Sequence, residues 1–290
     1  MKFCIVTPCL NAEQYIERTM RSVIMQTALS ESRTSSALEY IICDGGSTDT
    51  TLALAKRIAL DCSAMEDRVS IRIYSGADSG MYDALAKGFR RAGEADVYAY
   101  INAGDVYSLQ AFEILEQVFR IDGVDFVTGF DVVYNEAGHM VSCRLPYGYD
   151  RRMIDVGLYG GLLPHIQQES TFWTMSLHEK IDFDRFVQFK LAGDAYLWKT
   201  FSQHARLYVV TAWLAGFTVH AGQLSEVRAK EYRAEHLSMC RPRNLWDFML
   251  GGWAVILNYL PDGIKRYMSP HLIVYDHAEG GYRIGRTPIG

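Results

Sequence analysis

Acidic and amide side chains recur in this chain where apolar runs stop. Thr7 and Pro8 with Asn11 form one such cluster, and Asp44-Gly45-Gly46-Ser47-Thr48-Asp49 a second. Asp78 to Lys87, reading DSGMYDALAK, is a third, and Asn102-Ala103-Gly104-Asp105 a fourth. The fourth ends the run Val97 to Ile101, whose aromatic and β-branched residues predict a buried strand. The NAGD that follows is turn chemistry. A carboxylate is thereby delivered to the carboxyl end of a central strand, where open α/β sheets bind ligands. Asp105 therefore reads as a metal ligand that holds a diphosphate. The plainer alternative is a loop Asp capping a helix from Ser108. Gly45 and Gly46 let backbone approach a ligand closely, although Asp44 to Thr48 could also be an ordinary turn with an N-cap. Lys87 could offset phosphate charge or pair with Asp83 one helical turn earlier. Asp194, after Gly193, opens the helical pattern AYLWKTF and by itself reads as a helix cap.

These clusters need a scaffold, and the first hundred residues alternate strand and helix. Phe3 to Thr7 predicts a strand ended by Pro8. Asn11 then caps a helix carrying Ile16, Met20, Val23 and Ile24. Glu39 to Cys43 predicts a second strand. Thr48 or Asp49 caps a helix with Leu52, Ala55, Ile58 and Ala59. Val69, Ile71 and Ile73 alternate as a third strand, and a helix over Tyr82 to Ala92 stops at Gly93. This order implies a mostly parallel sheet with helices on both faces. Beyond Asp105, Ser108 caps a helix with Phe112, Leu115, Val118 and Phe119. Val124 to Tyr134 predicts a strand, and His139 to Cys143 its hairpin return. Residues 144 to 168 are rich in Gly, Pro and Tyr without periodicity, as in a substrate-binding loop. Later strands are expected over Ser170 to Thr174, Arg206 to Thr211 and Trp213 to Val219. Helices are expected over Gly193 to His204, Ser225 to Met239 and Asn244 to Leu260.

The chain has 290 residues, 49% hydrophobic and 22% charged, enough for a sizeable core. A net charge of −5 argues against a nucleic-acid partner. Six cysteines without a CxxC pair read as reduced thiols of a cytoplasmic protein. The opening MKFCIVTPCL is too short an apolar stretch for a signal peptide, and no apolar run reaches membrane-spanning length. From Asn244 the tail is apolar nearly all round. It reads either as a helix packed on the core or a second subunit, or as an interfacial helix touching a membrane.

TPxxN, DGGSTDTT, DSGMYDALAKG and the strand-ending INAGD, in this order, resemble family 2 glycosyltransferases with the GT-A fold. The chain is most similar to bacterial enzymes of surface-polysaccharide assembly, including the colanic-acid type. The resemblance covers residues 1–225, a GT-A domain with a mixed, mostly parallel sheet flanked by helices, and leaves 226–290 as a C-terminal helical extension. It implies an inverting transfer from a nucleoside-diphosphate sugar, UDP above others, to a hydroxyl of a glycan or lipid-linked acceptor. Asp44 would then meet the base and Thr7 and Pro8 would wall its pocket. Asn11, Gly45, Gly46, Asp83, Lys87, Asn102 and Gly104 would line the rest of the donor site. Asp105, with a late His220, would hold Mn²⁺ or Mg²⁺. Asp194 would be the catalytic base, and a PHQ-type segment with His165, Gln168 and Glu169 would close the acceptor side. The chain departs from the pattern at Asn102 and Gly104, which leave one acid in the metal motif, at Ala86, where relatives carry Asn, and at Gly193, where relatives carry an acid. Those departures support an alternative, a degenerate transferase that binds or scaffolds. A nucleotidyltransferase would need a Gly-rich basic loop that TPCLNAEQY lacks.

Overall fold

The computed structural model describes residues 1–30, 36–62, 67–219, 228–269 and 271–285. Its strands are β1 (Lys2–Cys9), β2 (Ala37–Asp44), β3 (Val69–Ser75), β4 (Val97–Tyr100), β5 (Val106–Tyr107), β6 (Phe126–Thr128) and β7 (Asp131–Tyr134). β8 (Met140–Arg144), β9 (Phe172–Thr174), β10 (Leu207–Val210), β11 (Ala215–Thr218), β12 (Leu272–Asp276) and β13 (Gly281–Ile284) follow. Among the described residues nine of them form one sheet, ordered β13-β12-β10-β6-β9-β4-β1-β2-β3, and β5-β11-β7-β8 form a second. Neighbours in the large sheet run parallel except around β9 and at the β12–β13 pair. The expected mixed, mostly parallel α/β architecture is therefore present. β1 is buried from Phe3 to Cys9 because helices cover both faces.

The helices are α1 (Ile16–Ile24), α2 (Thr27–Ser30), α3 (Thr51–Asp61), α4 (Met81–Arg91), α5 (Ala111–Val118) and α6 (Arg151–Asp155). They continue as α7 (Met175–His178), α8 (Phe183–Phe186), α9 (Gly193–Ser202), α10 (Ala229–Ser238), α11 (Leu245–Asn258) and α12 (Asp262–Met268). Several local expectations are corrected. β1 runs through Pro8 to Cys9, because pairing with β4 ends at Val6 and the missing proline N–H costs no bond on that side. Asn11 does not cap α1. It adopts a left-handed φ of 49°, and its Oδ1 accepts the Thr48 N–H at 2.9 Å. The run 124–134 is two strands in different sheets. They separate at Gly129, where a side chain would meet the Ala212 carbonyl at 2.8 Å. The segment 226–290 is not helical throughout, since β12 and β13 extend the large sheet.

Two contacts place the parts that matter for the site. α4 crosses β1 and β2 closely at Gly88, where a Cβ would lie 2.6 Å from Val6 Cγ1 and 2.9 Å from Cys43 Sγ. The tail is fastened by ions to α6, which is itself tied to α9. Arg152 and Arg241 hold Asp247 at 2.7 and 2.9 Å, and Arg241 and Lys199 hold Asp155 at 3.0 and 2.7 Å. α11 starts with a capping box between Asn244 and Asp247. It packs through Gly251 on Leu158 and Leu162, while Leu245, Trp246, Phe248, Met249, Trp253, Ile256 and Tyr259 stay exposed. No described helix is long and apolar enough to cross a membrane.

Gly88→Val should destabilise the protein by about 3 kcal/mol, the upper part of the usual overpacking range. Urea unfolding checks this, and an unchanged midpoint would show that α4 does not sit so close.

Candidate active site

Gly104 turns the chain after β4 with φ 121°, a conformation that suits glycine. Its N–H donates to Thr19 Oγ1 at 2.8 Å, and the same hydroxyl donates to the Asp105 carbonyl at 2.8 Å. Thr218, at the end of β11, donates its N–H to Asp105 Oδ1 at 2.9 Å and its hydroxyl to the Gly104 carbonyl at 2.7 Å. Asp105 therefore does not cap α5, whose cap position is Gln110. Oδ2 accepts no hydrogen bond from the described residues. Burial pushes the Asp105 carboxyl up, against the Thr218 N–H and the Arg18 charge. His220 lies outside the described residues, and among those described no group of three or more His, Cys, Asp or Glu is placed to hold a metal.

The segment 164–171 lies beside this strand end. Gln167 pairs with the Val132 main chain, accepting its N–H at 2.9 Å and donating to its carbonyl at 3.3 Å. Gln168 bridges Asn102, whose Nδ2 donates to it at 3.2 Å, and the Tyr100 carbonyl. Glu169 is buried, and its Oε1 has no partner among the described residues. The same holds for Tyr100 Oη, Tyr107 Oη and Asn102 Oδ1. Unpaired buried polar atoms are rare enough that several at one strand end mark a site rather than a core. Burial, and then the charge of Asp105, push the Glu169 carboxyl well above the usual range.

On the donor side, Thr7 is fully buried with its hydroxyl 2.9 Å from Tyr40 Oη, and Pro8 is buried beside it. Asp44 accepts from the Ser47 N–H at 3.2 Å, the Ser47 hydroxyl and the Ser75 hydroxyl at 2.6 Å. Gly45 faces Asp78, whose Oδ2 would lie 2.7 Å from a Cβ there, and Gly46 has φ 87°. Asp49 accepts the Thr51 N–H at 3.0 Å at the entry to α3. Lys87 takes the ion-pair alternative. Its Nζ is 2.9 Å from Asp83 and donates to the Ala77 carbonyl at 3.2 Å. Partial burial opposes ionisation of Asp83, but the Ser79 N–H and Lys87 hold its carboxyl below the usual range.

Asp194 is the second residue of α9 and not its cap, which is Ala192. Oδ1 accepts the Ala195 N–H at 2.8 Å, and the Tyr232 hydroxyl lies 3.3 and 3.4 Å from the two oxygens. Burial pushes the carboxyl up to about 6, with those bonds opposing it. A side chain at Gly193 would meet the Tyr82 ring at 2.6 Å, which explains why no acid stands there. His165 packs edge-on against Tyr232 with centroids 5.3 Å apart. A small cavity lined by His165, Ile166, Asp194, Tyr232 and His236 opens here. Tyr159 separates it from a cavity of about 190 Å³ that includes Tyr147, Tyr149, Trp253 and Asp131 in its lining. Sequence reasoning missed Thr19, Tyr82, Thr218, Tyr232 and Glu235. Tyr82 stood inside a quoted motif, and Tyr232 and Glu235 share a helix face by their spacing.

Residues 4–186 match the family described as glycosyl transferase family 2. The chain belongs to glycosyltransferase family 2. No curated protein matches it. Among solved structures it is similar in fold to residues 1–349 of S. aureus TarS in complex with UDP, at 14% identity and TM-score 0.57, over 88% of this chain and 71% of that one. The same TarS piece in complex with UDP-GlcNAc is similar at 15% identity and TM-score 0.53, over 92% and 70%. The mannosyltransferase PcManGT from Pyrobaculum calidifontis, in complex with GDP-Man and Mn²⁺, is similar at 13% identity and TM-score 0.56, over 91% and 71%. The family match ends before α9 and does not reach Asp194.

Because Glu169 takes up a proton on folding, native stability is fully present below the unfolded Glu value of about 4.3 and is lost as pH rises, by up to about 1.4 kcal/mol per unit, until native Glu169 ionises. Glu169→Gln lacks that slope. With a chelator present, its Tm should gain on wild type steadily from pH 4 to pH 8. A constant difference would contradict the buried, protonated state.

Proposed function

We propose that this family 2 glycosyltransferase moves a sugar from a UDP-sugar to a hydroxyl of a glycan or lipid-linked oligosaccharide, with inversion at the anomeric carbon. The observation that carries the reading is the delivery of Asp105 past the end of β4 with Oδ2 accepting no hydrogen bond from the described residues, in a chain of this family. The nucleotide ligands of TarS and PcManGT support the donor class. The surface-polysaccharide setting, on the cytoplasmic side of a membrane, follows from the sequence resemblance. The uncovered apolar face of α11 supports contact with a membrane surface, though a second copy of the chain would cover it equally well.

A lone carboxylate with an open oxygen fits Mg²⁺ or Mn²⁺, which are often held by one or two carboxylates plus substrate phosphates. Asp105 would hold the ion, with His220 as second ligand. When bound, the ion would supply charge stabilisation at the departing diphosphate. Asp44 would accept the ring N–H of the base, beside Thr7, Pro8, Asn11, Gly45 and Gly46. Asn102, Gly104, Asp83 and Lys87 would border the diphosphate and sugar. On the acceptor side, with His165, Gln168 and Glu169 nearby, Asp194 would take the hydroxyl proton. The acceptor oxygen forms its bond to C1 as the bond from C1 to the diphosphate oxygen breaks.

Asp105→Asn keeps an oxygen for the Thr218 N–H, so the fold should survive while metal-dependent donor binding is lost. Calorimetry with and without Mn²⁺ checks this, and unchanged metal-dependent affinity would remove Asp105 from the metal site. Asp194→Asn should keep donor affinity and lower turnover by about 10²–10⁴-fold. Near-wild-type turnover would move the base elsewhere, to Glu169 first. The binding-only reading draws on the lone acid of the metal motif and on the blocked position 193. Release of nucleoside diphosphate from UDP-, GDP- and dTDP-sugars with Mn²⁺ separates the two, since a scaffold releases none.

A further inference from the structure

We propose that Tyr232 and Glu235 of α10 are positioning residues for Asp194, Tyr232 by aiming its carboxylate and keeping it ionised and Glu235 by holding the chain that leads into α9; this rests on the reading of Asp194 as the base. The cap residue of α9, Ala192, has no polar side chain, so the amides at this helix end need partners from elsewhere. Within the first turn Tyr82 Oη takes the Asp194 N–H and Asp194 Oδ1 the Ala195 N–H, and Glu235 serves the cap amide and the two before it. Its carboxylate accepts the N–H of Lys190 at 2.8 Å, of Leu191 at 2.7 Å and of Ala192 at 2.6 Å. A negative charge at a helix N-terminus is favourable. Position 193 cannot provide one, because the Tyr82 ring fills the space. The acid absent from α9 is thus replaced by one from α10.

Tyr232 stands three residues before Glu235 and so on the same face of α10. Two hydroxyls reach Asp194, and their roles differ. Tyr82 donates to the Leu191 carbonyl at 2.8 Å and accepts the Asp194 N–H at 3.3 Å, so its proton is committed. Tyr232 Oη, 3.3 and 3.4 Å from the two oxygens, is the hydroxyl left to donate to the carboxylate. Among the described residues the titratable groups around Asp194 are Tyr82 of α4, Tyr100 of β4, Glu169 of the 164–171 segment, and Tyr232 and Glu235 of α10, with His165 and His236 lining the same cavity. Burial raises the Asp194 carboxyl, and the Tyr232 hydrogen bond works against that burial. The family match ends at residue 186, so membership implies nothing about α10.

The test follows Asp194 itself. Its carboxyl carbon is titrated by NMR in ¹³C-Asp-labelled full-length protein, assigned by loss of the signal in Asp194→Asn. In parallel, the pH profile of nucleoside-diphosphate release from the donor sugar is recorded. Tyr232→Phe should raise the Asp194 midpoint by about one pH unit and move the acidic limb of the profile with it, leaving the donor KM unchanged. Glu235→Gln removes a nearby negative charge and should move both the other way. Opposite shifts are a signature that loosened packing does not produce. An unmoved Asp194 midpoint in both variants overturns the inference. A shifted midpoint that the activity limb does not follow keeps the Tyr232–Asp194 coupling and refutes Asp194 as base.

Discussion

The amide of Thr218 reaching Asp105 is the bond on which the site depends. β4 ends at Tyr100 in the large sheet, and β11 belongs to the small one. Asp105 follows the turn after β4 and directly precedes β5, which pairs with β11; the 2.9 Å hydrogen bond from Thr218 fixes the direction of its buried carboxylate, and Thr218 Oγ1 and Thr19 fix the turn that carries it. A charged hydrogen bond of this kind contributes about 1.5–3 kcal/mol, and an unpaired buried carboxylate would cost more. The small sheet is therefore a structural requirement of the strand end, because the turn would otherwise leave Asp105 without a donor.

Around that end the chain gathers more buried acid than it neutralises. Asp131 is paired with Arg144 at 2.8 Å. Among the described residues Asp105 has one amide and the charge of Arg18, and Glu169 has an oxygen with no partner. A structure selected for stability alone would replace such groups with apolar ones. Their retention at one strand end is what the proposed cation and phosphate-bearing ligand would explain. The carboxyls divide by environment. Burial pushes Glu169 well above the usual range, whereas Asp194, with hydrogen bonds from Ala195 and Tyr232 opposing its burial, is raised only to about 6.

The sequence disclosed what repeats locally. Apolar alternation showed β1 to β4 and α3 to α5 to within a few residues, and the strand-ending polar clusters were visible as motifs. What it hid was long-range. Asn11 has the character of a cap and instead ties its loop to Thr48. Val124 to Tyr134 reads as one strand, and only the backbone of Ala212 pressing on Gly129 divides it. Leu272 to Asp276 joins β10 more than sixty residues upstream, a pairing with no local signal. In the candidate site, Asp105 stood out as a carboxylate at a strand end, and Asp194 was singled out by the family resemblance, since alone it reads as a helix cap. Tyr82, Thr218, Tyr232 and Glu235 were not legible, since a threonine amide or a helix-face glutamate has no chemistry until tertiary contacts give it a partner.

The central claim is that the end of β4 binds a nucleoside diphosphate through a divalent ion on Asp105. A thermal-shift titration of the full chain with UDP-, GDP- and dTDP-sugars, with Mn²⁺ and with chelator, tests it most directly. A ligand that binds only the native state at 100 times its Kd adds about 2.7 kcal/mol of stability. The account predicts a concentration-dependent rise in Tm for a UDP-sugar with Mn²⁺ that is greatly reduced by chelator. The absence of any rise with every sugar nucleotide, or a rise equal with and without the ion, would contradict it.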